Sequence, residues 1–262
     1  MTEASMLDEI DEIAASAFEG YVVRKDLAQQ FKGAYPVPTY VGEFLIGHYC
    51  ATTNPEEIEE GLQVVRRLLA DRTVRAGEEE LFKSRARERM TIKLIDLVKA
   101  RLDAKSNAYV AELPSLGLRD VRIDDAVVRD NERMLTGGFY AEVDLFYDAA
   151  IAEENSGKPF AIGSLRPIQL STRDSLARLA EGRSRFTTEQ WKHLLLRSVG
   201  FEPKQLSDRE MNVLLLRMVP FVQRNFNMVE LGPRGTGKSH LFQQVSPYAH
   251  LISGGKATVA RM

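Results

Sequence analysis

The sequence predicts an α+β protein: a helical N-terminal region with a small antiparallel β-sheet, followed by a strand–loop–helix unit. Three observations support this prediction. Apolar residues recur at three- and four-residue spacing through the first hundred residues and again after residue 171. Between residues 106 and 170 the spacing falls to two, which is typical of strands. A glycine-rich run then occupies residues 232–239.

Composition is that of a folded globular protein. The 262 residues are 44% hydrophobic and 27% charged, enough apolar material for one large domain or two smaller ones. The single cysteine, Cys50, excludes an intrachain disulfide and favours a reducing compartment. Because no signal peptide and no apolar run of 18 residues is present, we expect a cytoplasmic protein without membrane contact.

The helical N-terminal region spans residues 1–105. The apolar spacing predicts helices over about 4–18 and 39–50, and a third that opens at Pro55, a favoured first helical residue. A long helix is predicted at about 78–103. Its apolar stripe consists of Phe82, Ala86, Met90, Leu94 and Leu97.

The small antiparallel sheet is predicted within residues 106–170. One strand covers 109–113, and a returning strand covers 160–170, where Pro167 suggests a sheet edge. A central strand has the two-residue period of a half-buried strand. In it, Ala141, Val143, Leu145 and Tyr147 alternate with Glu142, Asp144 and Phe146.

A helical connector is predicted over residues 171–225. Two of its helices begin with capping boxes, in which a hydroxyl residue is followed three positions later by Glu or Gln. Thr187 with Gln190 forms the first box, and Ser207 with Glu210 forms the second.

Residues 226–262 contain a motif that predicts a nucleotide-binding site. A short apolar run at 226–231 predicts a strand, and the residues from His240 onward predict a helix. Between them the sequence matches G-x-x-x-x-G-K-[ST], a phosphate-binding loop that requires this context. The candidate nucleotide-binding residues are Gly232, Pro233, Arg234, Gly235, Thr236, Gly237, Lys238 and Ser239.

The residue types of the loop suit ATP and Mg²⁺. Glycines let several backbone N–H groups converge on phosphate oxygens, and the following helix presents further unpaired N–H groups. The Lys238 ammonium is expected to reach the β- and γ-phosphates, and the Ser239 hydroxyl to bind Mg²⁺.

No catalytic residue is identifiable. The 23 residues after Ser239 contain no Asp or Glu, so an acid that holds Mg²⁺ and positions water is missing from its usual place. These 23 residues are also too few for the remaining parallel strands of a P-loop domain. We therefore expect the chain to be the front part of a longer ATPase and to be inactive in hydrolysis by itself.

Four stretches resemble the BrxL family, the Lon-like AAA+ proteins of BREX bacteriophage-exclusion systems. They are residues 186–191, 214–220, 227–239 and 253–259. The resemblance covers the whole chain, but only the N-terminal part of the longer family members.

This resemblance implies an N-terminal domain that binds double-stranded DNA, an AAA+ ATPase core and a Lon-protease-like C-terminal domain, assembled as rings of identical subunits. Residues 226–262 would be an incomplete AAA+ core. By position, Gly232, Gly237, Lys238 and Ser239 match the nucleotide-binding motif of the family.

Basic residues are the candidates for DNA contact, because phosphate binding depends on Lys and Arg. Residues 161–262 carry 15 basic and 7 acidic side chains. The first candidate set comprises Arg173, Arg178, Arg183, Arg185, Lys192 and Arg197. The second, a stripe on the predicted long helix, comprises Arg85, Arg89 and Lys93. The alternative interpretation of both sets is a solvated helix face.

Three functions remain open at this point. The chain could belong to an ATP-driven DNA-binding motor in phage defence, or be a non-catalytic DNA-binding and assembly module. The third is the ATPase part of a Lon-type ATP-dependent protease, although the sequence presents no identifiable Ser–Lys nucleophile pair.

Overall fold

A computed structural model describes residues 8–19, 21–50, 52, 54–153, 157–168, 175–233, 235, 237–244 and 249. The described residues before 31, within 38–54 and after 170 form one compact unit. Residues 31–37 and the described part of 55–170 form the other. Within these ranges no helix is both long and apolar enough to cross a membrane.

The described helices and strands follow one another in this order along the chain: α1 (Glu9–Ala17), α2 (Lys25–Gln29), α3 (Thr39–Tyr49), α4 (Pro55–Arg72), α5 (Glu79–Arg89), β1 (Thr91–Asp103), β2 (Ala108–Leu113), β3 (Leu118–Arg122), α6 (Asp125–Asp130), β4 (Phe139–Tyr147), α7 (Ala149–Glu153), β5 (Phe160–Pro167), α8 (Ser175–Arg183), α9 (Thr188–Ser198), α10 (Asp208–Leu216), α11 (Val219–Val222) and α12 (Lys238–Gln244).

The five strands form a closed barrel in the order β1-β2-β3-β5-β4, with β4 returning to β1. All neighbours are antiparallel except β3 and β5, which are parallel. With α6 between β3 and β4, this is the architecture of the OB-fold, a five-stranded Greek-key barrel. The expected α+β class is confirmed, although the sheet is closed and mixed rather than purely antiparallel.

Alternation along β4 places its apolar residues inside the barrel. Phe139, Ala141, Val143 and Leu145 are buried, as the two-residue period predicts. Outside, the Glu142 carboxylate accepts a hydrogen bond from Arg72 Nη1 at 3.0 Å. Pro167 is the last residue of β5, which lies between β3 and β4, so this proline marks a strand end rather than a sheet edge.

The prediction of one long helix over residues 78–103 is wrong for its second half. Helix α5 ends at Arg89, Met90 adopts a left-handed φ of 61°, and β1 follows. The four-residue spacing that joins Ala86, Met90 and Leu94 fits a helix, but it is also twice the period of a strand. β-Branched residues such as Ile92 favour the strand, in which Leu94 and Val98 point into the core.

Capping boxes mark the starts of three helices of the first unit, α1, α9 and α10. Thr187 Oγ1 accepts from Gln190 N at 3.2 Å, and the reciprocal bond from Thr187 N to Gln190 Oε1 is 2.9 Å. The Ser207–Glu210 box at α10 is confirmed in the same way. Helix α1 begins after a third box, at Asp8, later than expected from the apolar pattern.

A buried carboxyl group interrupts the apolar wall of the barrel. Asp96 of β1 is 3% exposed, and its Oδ2 accepts hydrogen bonds from Ser115 Oγ at 2.6 Å and Ser115 N at 3.3 Å. Burial raises the pKa of Asp96 to about 6, although these hydrogen bonds oppose the rise. The carboxyl caps the turn at Pro114–Leu116, so it has a structural function.

Asp96→Asn is expected to change the pH dependence of stability. Because the pKa in the folded protein, about 6, lies above the ordinary value of 3.8, folding favours the protonated form. The native protein therefore loses stability as the pH rises from about 4 to 6, by roughly 3 kcal/mol at about 1.4 kcal/mol per pKa unit. Denaturant unfolding at pH 4 to 7 should show that the free energy of unfolding of the variant rises with pH relative to that of the unsubstituted protein. A pH-independent difference would contradict this.

Gly182→Ala is expected to destabilise the first unit. A Cβ at Gly182 would lie 2.2 Å from the ring of Phe18, which packs against Phe186 and Trp191. We expect a loss of about 1–3 kcal/mol in thermal or denaturant unfolding. The matched control is Gly163→Ala, whose Cβ would meet the ring of Phe146, which is 43% exposed and can swing aside. Equal losses in both variants would rule out this explanation.

Candidate nucleotide-binding site

The glycine-rich loop turns through two residues with left-handed backbone. Gly235 has a φ of 80° and Gly237 a φ of 72°, a region that side chains with a Cβ rarely adopt. The backbone geometry of the loop therefore favours glycine at positions 235 and 237. Arg234 and Thr236, two of the expected binding residues, lie outside the described residues.

The Lys238 side chain folds back across the loop. Lys238 is the first residue of α12, and its Nζ donates to the carbonyl oxygen of Gly232 at 3.0 Å and to that of Pro233. The ammonium therefore lies beside the loop backbone. Charged phosphate oxygens are stronger acceptors than carbonyls, so the same position suits an anionic ligand.

Ser239 follows Lys238 in the first turn of α12 and is exposed. Its hydroxyl is the metal-binding candidate. Among the described residues, no group of three or more His, Cys, Asp or Glu side chains could hold a metal ion. The Ser239 hydroxyl is one ligand that could hold a Mg²⁺ ion, with phosphate oxygens supplying others.

The segment expected as a strand before the loop pairs with no strand of the described chain. Val229 and Leu231 are 85% and 90% exposed. Glu230 between them instead binds Arg217, whose Nε lies 2.9 Å from Glu230 Oε2. The expected strand is therefore not formed among the described residues, because a strand requires a hydrogen-bonded partner.

Two candidate arginines of α8 and the turn after it face solvent. Arg178 is exposed and lies over the ring of Tyr21, 4.2 Å from its centroid. Arg185 is also exposed, and its Nη1 donates to the backbone carbonyl oxygen of Ser16 at 3.3 Å. Both guanidinium groups therefore combine exposure with a fixed attachment to the protein.

Other members of the first set are engaged in contacts within the chain. Arg183 lies over the Trp191 ring and donates to the Phe186 carbonyl oxygen at 2.6 Å. Lys192 pairs with Glu189 at 2.8 Å. Arg173 lies outside the described residues.

Arg197 is the most deeply engaged candidate. Its side chain is 15% exposed and contacts Asp8 at 2.7 Å and Asp11 at 3.0 Å. The Arg197 guanidinium holds the pKa of the Asp8 carboxyl well below its usual range. The charge of Arg197 is consequently balanced by α1 and its cap, which indicates a structural function.

The second basic set is divided between a helix and a strand. Arg85 of α5 lies over the Phe82 ring, 5.3 Å from its centroid, and Arg89 is exposed at the end of that helix. Lys93 belongs to β1 and pairs with Asp144 at 2.8 Å. The expected stripe on one helix is therefore wrong, because the helix ends before Lys93.

Two contacts beside the loop were not anticipated from the sequence. Arg217 binds Glu230 before the loop, and the Phe221 ring stacks on Phe242 after it, with centroids 5.2 Å apart. Neither pair has a periodic spacing. The one available signal is an arginine among the apolar residues near the end of α10.

Comparison with known proteins identifies the family. The model described as "BREX system Lon protease-like protein BrxL N-terminal" matches residues 16–147, half of the chain. The model "Lon-like protease BrxL-like, ATPase domain" matches residues 160–262 and includes the loop. The chain belongs to the BrxL family. The BrxL resemblance expected from the sequence is confirmed, and the ATPase-domain match implies nucleotide use.

Two curated relatives extend this BrxL assignment. The chain is 43% identical to the Lon-like protease BrxL of Escherichia coli O9:H4 (strain HS) over 254 residues. It is also 43% identical to the Lon-like protease BrxL of Bacillus cereus (strain H3081.97) over 246 residues. These alignments cover 97% and 94% of the chain but 36% of each relative, so the chain spans about a third of their length.

The boundary between the two BrxL models does not coincide with the boundary of the barrel. Strand β5 lies within the ATPase match but pairs with β3 and β4, which lie in the N-terminal match. The OB-fold of this BrxL chain therefore requires residues from both matched regions.

Proposed function

We propose that the chain binds ATP with Mg²⁺ as the front part of a BrxL-type ATPase that acts on DNA in bacteriophage defence. The observation that carries this proposal is the Lys238 ammonium held inside a loop with two left-handed glycines, within a region that matches an ATPase domain. In the proposed complex, Lys238 binds phosphate oxygens and Ser239 contributes a hydroxyl to Mg²⁺.

Binding rather than turnover is the activity we propose for these residues. Hydrolysis needs an acidic group that holds the metal and orients water. In the parts of the chain that are described, no acidic cluster suited to a metal is present. The loop would then act as the nucleotide-holding part of a larger assembly, for which we propose a homo-oligomeric ring in the cytoplasm.

For double-stranded DNA we propose contact through α8 and the turn that follows it. Arg178 and Arg185 are exposed there, while Arg197 is balanced by carboxylates. The outer barrel face is a weaker candidate, although many OB-folds bind oligonucleotides on this face. Its charges are mixed and paired, as in the contact of Lys158 with Asp103 at 3.1 Å.

A non-catalytic assembly module is the second candidate function. It is favoured by the number of basic residues already engaged within the chain, among them Lys192 and Arg197. The two functions differ in their requirement for nucleotide and DNA, which the following measurements address.

Lys238→Ala is expected to abolish ATP binding, because it removes the ammonium that we propose binds the phosphate oxygens. Binding of a fluorescent ATP analogue with Mg²⁺ to the purified protein measures this. Lys83→Ala, which removes a lysine paired with Glu80 on α5, is the matched control and should bind as the native protein does. Unchanged affinity in Lys238→Ala would refute nucleotide binding at this loop.

Removing Arg178 and Arg185 together, as a double alanine variant, is expected to weaken duplex DNA binding at low salt. Loss of two phosphate contacts should reduce the slope of log affinity against log salt by about 2. Fluorescence anisotropy between 50 and 200 mM salt, roughly the range in which such contacts dominate, measures both quantities.

The control for the DNA measurement changes the same charge elsewhere. Arg119 and Arg129 are exposed residues of β3 and α6 and are replaced together by alanine. This control should bind DNA as the native protein does. If it loses as much affinity as the α8 variant, the proposed surface is wrong, and absence of DNA binding by the native protein would refute the DNA part of the proposal.

A further inference from the structure

The N-terminal side of the phosphate loop, residues 232–239, is held by a bidentate ion pair. Arg217, which caps α10, is 9% exposed, and its Nε lies 3.1 Å and 2.9 Å from the two carboxylate oxygens of Glu230. Its Nη2 also donates to Oε1. Planar, charge-assisted contacts of this kind fix orientation as well as distance. Glu230 stands two residues before Gly232, so the pair fixes the chain where it enters the loop.

The other side of the loop is fastened by aromatic packing. The Phe221 ring of α11 stacks on the Phe242 ring of α12, with the ring planes 22° apart and the centroids separated by 5.2 Å. The neighbouring Leu241 is 2% exposed. Helix α12 begins with Lys238, so this packing fixes the chain where it leaves the loop.

Both attachments originate from one short stretch, residues 217–221. The entry and the exit of the loop are therefore held by the same small part of the chain. The distance between Lys238 Nζ and the Gly232 carbonyl oxygen, 3.0 Å, shows how closely the two sides meet. A loop with several glycines has much conformational entropy to lose, and holding both ends reduces the part of that cost which ligand binding must meet.

We propose that Arg217 and Phe221 are positioning residues that hold the two sides of the phosphate loop, so that nucleotide binding is coupled to the α10–α11 segment. This inference rests on the proposed nucleotide function. Neither residue belongs to the glycine-rich loop at residues 232–239. Each acts through its partner, Glu230 or Phe242, and a ligand that orders the loop should in turn order the α10–α11 segment.

The test compares binding of a fluorescent ATP analogue with Mg²⁺ in variants of the purified protein. Arg217→Met and Glu230→Gln remove the ion pair, and Phe221→Leu removes the ring stacking. Each is expected to weaken binding by about five- to thirty-fold, the change that a net effect of one or two kcal/mol produces. Arg217→Lys keeps the charge but loses the bidentate geometry, so we expect an intermediate loss of affinity for the ATP analogue.

The matched control is Asp8→Asn, which breaks a comparably buried arginine–carboxylate pair in the same unit. We expect it to lower the melting temperature and leave nucleotide affinity unchanged. If the Arg217–Glu230 pair only stabilised the fold, its variants would behave like this control. If folded Arg217→Met and Glu230→Gln bind the ATP analogue as tightly as the unsubstituted protein does, the inference is overturned. The proposed nucleotide function would still stand in that case if Lys238→Ala fails to bind the analogue.

Hydrogen exchange supplies a readout that needs no affinity change. The ATP analogue should protect backbone amides of residues 211–222 in the native protein but not in Arg217→Met. Absence of that protection in the native protein would overturn the coupling. If Arg217→Met fails to fold, Arg217→Lys takes its place in this measurement. Unchanged affinity for the ATP analogue together with unchanged amide protection in that variant would also overturn the inference. No nucleotide binding by the native protein would refute the proposed function itself.

Discussion

Closure of the barrel depends on β1, which pairs with both β2 and β4. Residues 91–98 of β1 pair with β4, and residues 99–103 pair with β2. At the change of partner, Gly138 lies so close to β1 that a Cβ would come within 2.5 Å of the Val98 carbonyl oxygen, and its φ is 78°. A residue with a side chain would force the strands apart at this point. The packed interior, including Leu94 and Val143, depends on that close approach.

The charges of the chain show why a count of basic residues is a poor guide to a binding surface. Asp8 and Asp11 balance Arg197, and Asp144 balances Lys93, so these two basic residues are already paired with carboxylates of the chain. What is left for a polyanion is set by exposure, as at Arg178. In the glycine-rich loop, Lys238 donates to the carbonyl oxygens of Gly232 and Pro233. Phosphate oxygens are stronger acceptors than these carbonyl oxygens.

The left-handed backbone of the glycine-rich loop could be predicted from the sequence more completely than the fold around it. The glycine spacing predicts the loop because left-handed backbone at Gly235 and Gly237 is a local requirement. The capping boxes are equally local, since they join residues three positions apart. The error at residues 90–103 arose because a spacing of four fits both a helix and a strand, and the choice between them was made by pairing with β4.

By itself the sequence determined the local features: the helix starts at Thr187 and Ser207, the alternation of β4 and the phosphate-binding motif. Each depends on residues a few positions apart, whose backbone geometry limits their possible partners. Tertiary structure alone decided the closure of the barrel, the engagement of Arg197 and the contact of Arg217 with Glu230. These join segments with no shared period, so the chain must first fold before their side chains can meet.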